Sequence, residues 1–467
     1  MFCCMAKRWY MAVCIILLLL LQSLCELAMP GITADIIDVG VGQSGIPSVL
    51  ADSISAEGME RLLLLMTGEE RETTLAGYAK SGDVYIKNEM TSDEEEKLLE
   101  VMTPPMVAVY ALSTEGADYK EVLGEDLYVP RDLDAFGILK LLPEETRLEL
   151  TEAARERICE IPQSLITQAA VNFLREDMKE QGIDISSIQE QYLLKKGIRL
   201  ILAALGMILA AVLASFLTVR FAASCAAELR TAVFEHVLSM EAEQAEKFSI
   251  ASLTSKTMED AEKIQQFIII FFRSALAAAL LGIGASVLGW RRDPGMGGIV
   301  FALFAIMLLC MAAFLLAAAG YSRKIQLWAE QMKRAVHEQL RGQMVIRAFG
   351  SGEREERKLE AMNRRWKQYA LGRNRLISFL MPSLLLIMNG SLLFISGKSA
   401  SGINEGYLQS GELIAYIQYI IMTTGAFLAL AAYASVLPEG IRSFSQIAGV
   451  LDVPVCEKKK SAAGTKA

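Results

Sequence analysis

The chain has 467 residues, is 53% apolar and carries a formal net charge of −8. Its mean hydropathy is positive, at +0.34, which excludes a disordered chain and an ordinary soluble enzyme. The cysteines lie mostly in or beside apolar runs, Cys159 stands alone in the acidic region, and the two histidines are far apart, so neither a disulfide framework nor a metal site is expected.

The first apolar run, Met11–Met29, follows Lys7 and Arg8 and has the look of a signal peptide. Leu24 precedes Cys25 where a lipoprotein cleavage site needs a small residue. The run is also long, with Glu26 and Pro30 at its outer end, which favours a retained helix. Residues 1–30 are therefore read as a first membrane span. Residues 31–196 form an acidic insert that holds more than half of the chain's acidic residues, while the rest is net positive. Within the insert, Met59–Met66, Lys97–Met102, Phe136–Leu142 and Leu165–Leu174 carry apolar clusters at helical spacing. Pro104-Pro105, Pro130, Pro143 and Pro162 punctuate them. A small strand is expected at Val84–Ile86 or Ala108–Leu112. Asp184–Leu200 contains no helix breaker, so it runs into the next span.

Five more runs are long enough to cross a bilayer: Leu200–Leu217, Phe267–Trp290, Ile299–Ala319, Leu376–Gly397 and Leu413–Leu437. No proline occurs from Gln163 to Asp293 or from Gly295 to Met381, so helices can continue beyond the hydrocarbon without a break. Arg220–Gln265 and Gly320–Leu371 read as helical hairpins. In the second, arms of about 25 residues at about 1.5 Å per residue reach roughly 35 Å. Gly342, Gly350 and Gly352 cluster at its midpoint. Pro382 predicts a kink in the fifth span. The segment Tyr321–Arg375 holds 14 Lys and Arg residues, against two in Arg291–Gly298. The positive-inside rule then places both hairpins and both termini in the cytoplasm and the insert outside. Arg273, a charge inside the third run, either faces a cavity or snorkels to the interface. Asn389, Gln418, Thr423 and Thr424 suit either interhelical hydrogen bonds or a substrate pathway.

Residue matches at both hairpins resemble the membrane domain of ABC exporters. In the first hairpin, Leu229-Arg230, Phe234, Lys247–Leu253, Asp260 and Ile264-Gln265 are similar to that family's coupling helix and the helix after it. In the second, Glu338, Leu340, Gly342 and Val345-Ile346-Arg347-Ala348-Phe349 resemble its E-x-L-x-G-x-x-V-I-R-A-F segment. Met381-Pro382, Met388-Asn389, Gly411-Glu412, Tyr416 and Tyr419 fit the fifth and sixth helices. Arg442 with Ser445–Leu451 fits the connector toward a nucleotide-binding domain. Lys256 stands in place of the usual arginine, Met258-Glu259 in place of Thr-Asn, and Glu330 in place of an aspartate.

The resemblance implies an all-α integral membrane fold: six helices, two long cytoplasmic hairpins and an α-helical extracellular insert of the kind seen in heterodimer-type bacterial exporters. Residues 197–437 would hold spans two to six, and 438–467 a connector and basic tail. It further implies that Glu246, Phe248, Ser249, Ser252, Met344, Val345, Ile346, Arg347, Ala348 and Phe349 contact an ATPase domain, with Phe349 as apolar anchor. Arg273, Asn389, Gln418 and Thr423 are the candidates for the substrate pathway. No Gly-x-x-x-x-Gly-Lys-Ser/Thr loop occurs, so ATP and Mg are expected on a partner or missing domain, with no cofactor, metal or catalytic residue in this chain. The expected partners are that domain, a second transmembrane half and the lipid bilayer of the plasma membrane, without nucleic acid. The competing readings are a non-transporting membrane sensor with a ligand-binding cap, and an inactive exporter fragment.

Overall fold

Apolar runs without a breaker become helices, and the longest are far longer than a bilayer is thick. The computed structural model describes residues 8–113, 136, 140, 151–152, 155, 158, 161–240, 256–434 and 436–452. In chain order the described elements are α1 (Trp9–Asp35), a π-helical turn (Ile36–Gly42), β1 (Ser53–Ser55), α2 (Ala56–Leu64), α3 (Gly68–Gly77), β2 (Tyr78–Ser81), β3 (Val84–Lys87), α4 (Ser92–Ser113), α5 (Gln163–Glu180) and α6 (Ile185–Leu238). After the undescribed stretch come a π turn (Lys256–Asp260), α7 (Ala261–Ile270), a second π turn (Phe271–Leu276), α8 (Ala277–Arg292), α9 (Pro294–Arg341), α10 (Gln343–Ala348), α11 (Gly352–Asn404), α12 (Ser410–Ala431) and α13 (Val436–Leu451). Among the described residues, six helices are long and apolar enough to cross a membrane: Trp9–Gly42, Ile185–Leu238, Met258–Arg292, Pro294–Arg341, Gly352–Asn404 and Ser410–Ala431. They contain the six expected runs, except that the last of these is cut short.

One compact unit comprises Met29–Leu202 with Phe394–Ala415. Its centre is an apolar core of Met59, Leu62, Tyr78, Leu98, Met102, Met106, Phe173 and Leu174, contributed by α2, β2, α4 and α5. A three-stranded antiparallel sheet in the order β1-β3-β2 lies alongside, with Ser53 opposite Ile86 and Tyr78 opposite Lys87. The expected strand at Val84–Ile86 is therefore present, but Ala108–Leu112 is helical. Pro104 and Pro105 lie inside α4 instead of ending it. Burial of Leu98, Met102, Pro105, Met106 and Val109 on one face outweighs the roughly 3 kcal/mol that an interior proline costs. Asp177 of α5 accepts from the Ser55 N–H at 3.0 Å and from the Ser55 hydroxyl, tying α5 to the start of α2. The expected helix at Phe136–Leu142 lies largely outside the described residues. Asp38 accepts from Gly411 N–H at 2.7 Å and so caps the first turn of α12.

The other unit comprises Met1–Ala28, Ala203–Leu393 and Tyr416–Ala467. Ile15 and Leu19 of α1 are buried in one core with Phe221, Ala222 and Val233 of α6, Ile264 and Ile268 of α7, Phe272 and Ile447. The first span is thus a packed member of the bundle. Helices α8 and α9 join through Asp293, which accepts from Gly295 and Met296 N–H at 3.0 Å each and caps α9 with Pro294 in its first turn. Gly289 and Gly297 face one another across this turn, and a Cβ on Gly297 would strike the Trp290 backbone, so the close approach requires glycine. The sixth run does not continue to Leu437. Helix α12 ends at Ala431, a turn follows, and α13 starts at Val436 with Pro438 in its first turn. Pro438 lacks the N–H that would bond to the carbonyl four residues back, so it suits the first turn of a new helix, where that N–H would go unpaired anyway.

Candidate coupling site and membrane pathway

The second hairpin ends in the short helix α10. Its outgoing arm, α9, closes at Gly342, whose N–H donates to Glu338 O at 2.9 Å. Ile346 N–H then donates to Gly342 O at 3.0 Å and starts the new turn. At the far end Ser351 N–H reaches back to Ile346 O at 3.1 Å and Gly350 N–H to Arg347 O at 3.3 Å. Gly350 has φ +62°. This pairing with a left-handed glycine is a Schellman closure, and it reverses the chain into α11 within a few residues.

What the tip presents is apolar and uncovered. No residue of α10 is buried. Met344 is 89% exposed, Phe349 81% and Val345 60%. Ile346 is half-buried, while Arg347 and Ala348 are exposed. Arg341 and Arg347, both exposed, flank these apolar side chains.

The arms behind the tip are stiffened by contacts at a constant register. Near the tip, Gln339 Nε2 donates to Glu355 O and Oε2, both at 3.2 Å. Further back, Arg365 lies 5.0 Å from the Trp328 ring centroid and Lys324 5.3 Å from that of Tyr369. A Cβ on Gly372 would come within 2.7 Å of Tyr321 Cε1. These cation–π steps hold two helices side by side while leaving the charges solvated.

Residues Glu246, Phe248, Ser249 and Ser252, expected at the tip of the first hairpin, lie outside the described residues. Its outgoing arm, α6, ends at Leu238, and the returning arm is described from Lys256. On the returning arm Asp260 is buried, and its Oδ1 accepts from the Ser443 hydroxyl of α13 at 2.9 Å.

The four pathway candidates stand in different environments. Arg273 sits on the π turn Phe271–Leu276 and is exposed. Asn389 is exposed on α11 and its Nδ2 donates to Leu385 O of its own helix at 2.9 Å. Gln418 is half-buried on α12. Thr423 on the same helix is fully buried, and its hydroxyl has no hydrogen-bond partner. Thr424 bonds its own helix at Ile420 O, 2.8 Å, and meets Met307 Sδ at 3.8 Å. No hydrogen bond or ion pair joins any two of Arg273, Asn389, Gln418 and Thr423 among the described residues. Tyr416, noted in the sequence only as a motif position, donates its hydroxyl to Gly289 O at 3.1 Å and ties α12 to α8. The docking of α13 was not foreseen. Its alternation of Gly440, Ser443, Ile447 and Val450 at helical spacing was the available signal.

Comparison with known proteins fits this geometry. Residues 159–427 match the family model described as the ABC transporter transmembrane region. The uncharacterized ABC transporter ATP-binding protein YfiB of Bacillus subtilis is 24% identical over 251 residues, covering 54% of this chain and 44% of YfiB. The uncharacterized ABC transporter ATP-binding protein Rv1273c of Mycobacterium tuberculosis is 23% identical over 256 residues, 53% of this chain and 42% of that protein. The ATP-dependent lipid A-core flippase 1 of Colwellia psychrerythraea is 23% identical over 232 residues, 48% of this chain and 38% of the flippase. The matches span less than half the length of each of these relatives.

Proposed function

The chain belongs to the family of ABC transporter transmembrane regions, and from that membership we propose that it is the permease part of an ABC exporter. In this reading it moves substrate across the plasma membrane by alternating access, driven by ATP hydrolysis on a nucleotide-binding domain outside these residues. The observation that carries it is the uncovered apolar tip α10 on a stiffened hairpin. An apolar helix held at the end of two braced arms can be pushed, and rigid arms pass a displacement to α9 and α11 within the membrane.

Met344, Val345, Ile346, Ala348 and Phe349 would fill a cleft on the ATPase domain, and Arg347 would meet its acidic rim. Glu246, Phe248, Ser249 and Ser252 would do the same on the first hairpin. This chain carries no glycine-rich lysine loop, so its residues do not fit ATP and Mg, which the partner domain would hold. A second transmembrane half would complete the pathway. Helices α6 and α11 supply open apolar faces for it and for lipid, with only 11% of each apolar window buried, against 44% for α12. Arg273, Asn389, Gln418 and Thr423 remain the pathway candidates, and among them Thr423 is fully buried with a hydroxyl that has no hydrogen-bond partner. The basic hairpins and both termini would be cytoplasmic, with the insert outside.

The test is ATP-dependent uptake into inverted vesicles that hold the chain, a second half and an ATPase partner. Flux is expected with the wild type, and its loss with Met344→Asp/Phe349→Asp. Absence of any flux or any co-purifying ATPase would overturn the reading.

A further inference from the structure

We propose that α13 is a clamp that fastens the returning arm of the first hairpin to both arms of the second, with the buried Asp260 carboxylate as its key. A helix that merely continued the sixth span would need polar contacts to none of these arms. α13 makes them to all three. Toward the first hairpin, Asp260 is 5% exposed and Ser443 2% exposed, and the Ser443 hydroxyl donates to Asp260 Oδ1 at 2.9 Å. With its amide turned nitrogen to carboxylate, Gln446 donates to Asp260 Oδ2 at 3.1 Å and accepts from Arg442 Nη2 at 3.0 Å. Lys263 stands at the rim, 3.9 Å from Oδ1.

Toward the second hairpin, Arg442 Nη2 lies 3.7 Å from Glu330 Oε1 on α9, and Glu439 Oε1 lies 3.7 Å from Arg373 Nη1 on α11. Apolar contacts fix the depth. The Phe444 and Phe267 rings meet edge to face at 5.6 Å, and a Cβ on Gly440 would come within 2.6 Å of Phe267 Cβ. Ile447 is buried with Ala261, Ile264 and Ile268.

A buried carboxylate costs stability unless its oxygens are bonded. Here both oxygens are bonded by residues of α13, so the carboxylate favours the docked position over any other. The surface ion pairs to Glu330 and Arg373 contribute little energy by themselves, but they fix which arms move with α13. The consequence for transport, that force arriving along α13 reaches both hairpins together, rests on the permease reading. The clamp itself does not.

The experiment measures docking without transport. Spin labels are placed on the exposed Ile441 of α13 paired with Gln266 of α7, and on Ile441 paired with Leu327 of α9. The full chain, freed of its other cysteines, is studied in nanodiscs without nucleotide. The wild type is expected to give one narrow distance population for each pair. Asp260→Ala leaves Ser443 and Gln446 unpaired and is expected to raise the undocked fraction about tenfold or more in both pairs. The exchange Asp260→Ser/Ser443→Asp restores the carboxylate–hydroxyl bond from the other side and is expected to restore the narrow population. Where Asp260→Ala fails to fold, Ser443→Ala replaces it, with the same direction expected. Unchanged narrow distances in the single variants, or an exchange variant as broad as Asp260→Ala, would overturn the clamp and leave the vesicle test of permease function untouched.

Discussion

At Gly350 the backbone turns into the left-handed region, with φ +62°, and nothing lies within 4 Å of where a Cβ would stand. A side chain there meets no clash with neighbours, so its cost is conformational, about 1–2 kcal/mol. Gly350→Val is therefore expected to loosen the Schellman closure locally. Hydrogen exchange at Ser351 and Gly350 should quicken, while protection in α8 stays unchanged. Glu70, in the insert, illustrates a different balance. Partial burial pushes its carboxyl up, but the Thr67 N–H at 2.9 Å and the Arg155 guanidinium outweigh that and hold its pKa below the ordinary 4.5. A depressed carboxyl pKa stabilises the folded state above the unfolded value, and that stability is lost as pH falls through the folded one. The insert is thus expected to weaken below about pH 4.5, and Glu70→Gln to flatten that slope in thermal melts taken across a pH series.

Among the elements, the long helices were legible because each contains an apolar run of membrane length, and Pro30 and Pro382 interrupt neither helix that holds them. Helices α6 and α9 follow from that alone. The hairpin midpoint was legible from Gly342, Gly350 and Gly352, each of which sits at a helix boundary. What was not legible was decided by contacts distant in sequence. Leu413–Leu437 reads as one run because apolar continuity carries no record of where a helix docks, and Pro438 was the single local mark of the break. Pro104 and Pro105 read as terminators because propensity ignores the core that α4 packs into. Asp260 and Ser443 are 183 residues apart, and no spacing rule pairs them. The arm contacts give a prediction at this scale. The Trp328–Arg365 step should show a coupling energy of about 0.5–1 kcal/mol in a double-mutant cycle with Trp328→Ala and Arg365→Ala. Hydrogen exchange in the arms is the readout, and additive single effects would deny that the step braces the hairpin.

For the whole molecule, the consequential fact is that the insert has a core of its own. Leu62, Met59, Leu98, Met102 and Leu174 are essentially inaccessible, and they belong to a unit distinct from the one holding Ile15, Phe221 and Phe272. A segment retained merely as a long loop would bury no such cluster, because ordering it costs about 1–2 kcal/mol per residue that solvated polar contacts do not offset. The insert is folded for its own sake, and its stability should be separable from that of the bundle. Leu62→Ala removes a fully buried side chain and should cost about 2–5 kcal/mol, depending on how far α4 and α5 collapse into the space. Because mutational effects stay within the cooperative unit that contains them, exchange protection should fall across α2, α4 and α5. Protection in α8 and α9 should stay as it was. If both sets of amides lost protection in parallel, the two units would unfold as one cooperative unit, and the independence of the insert would be denied.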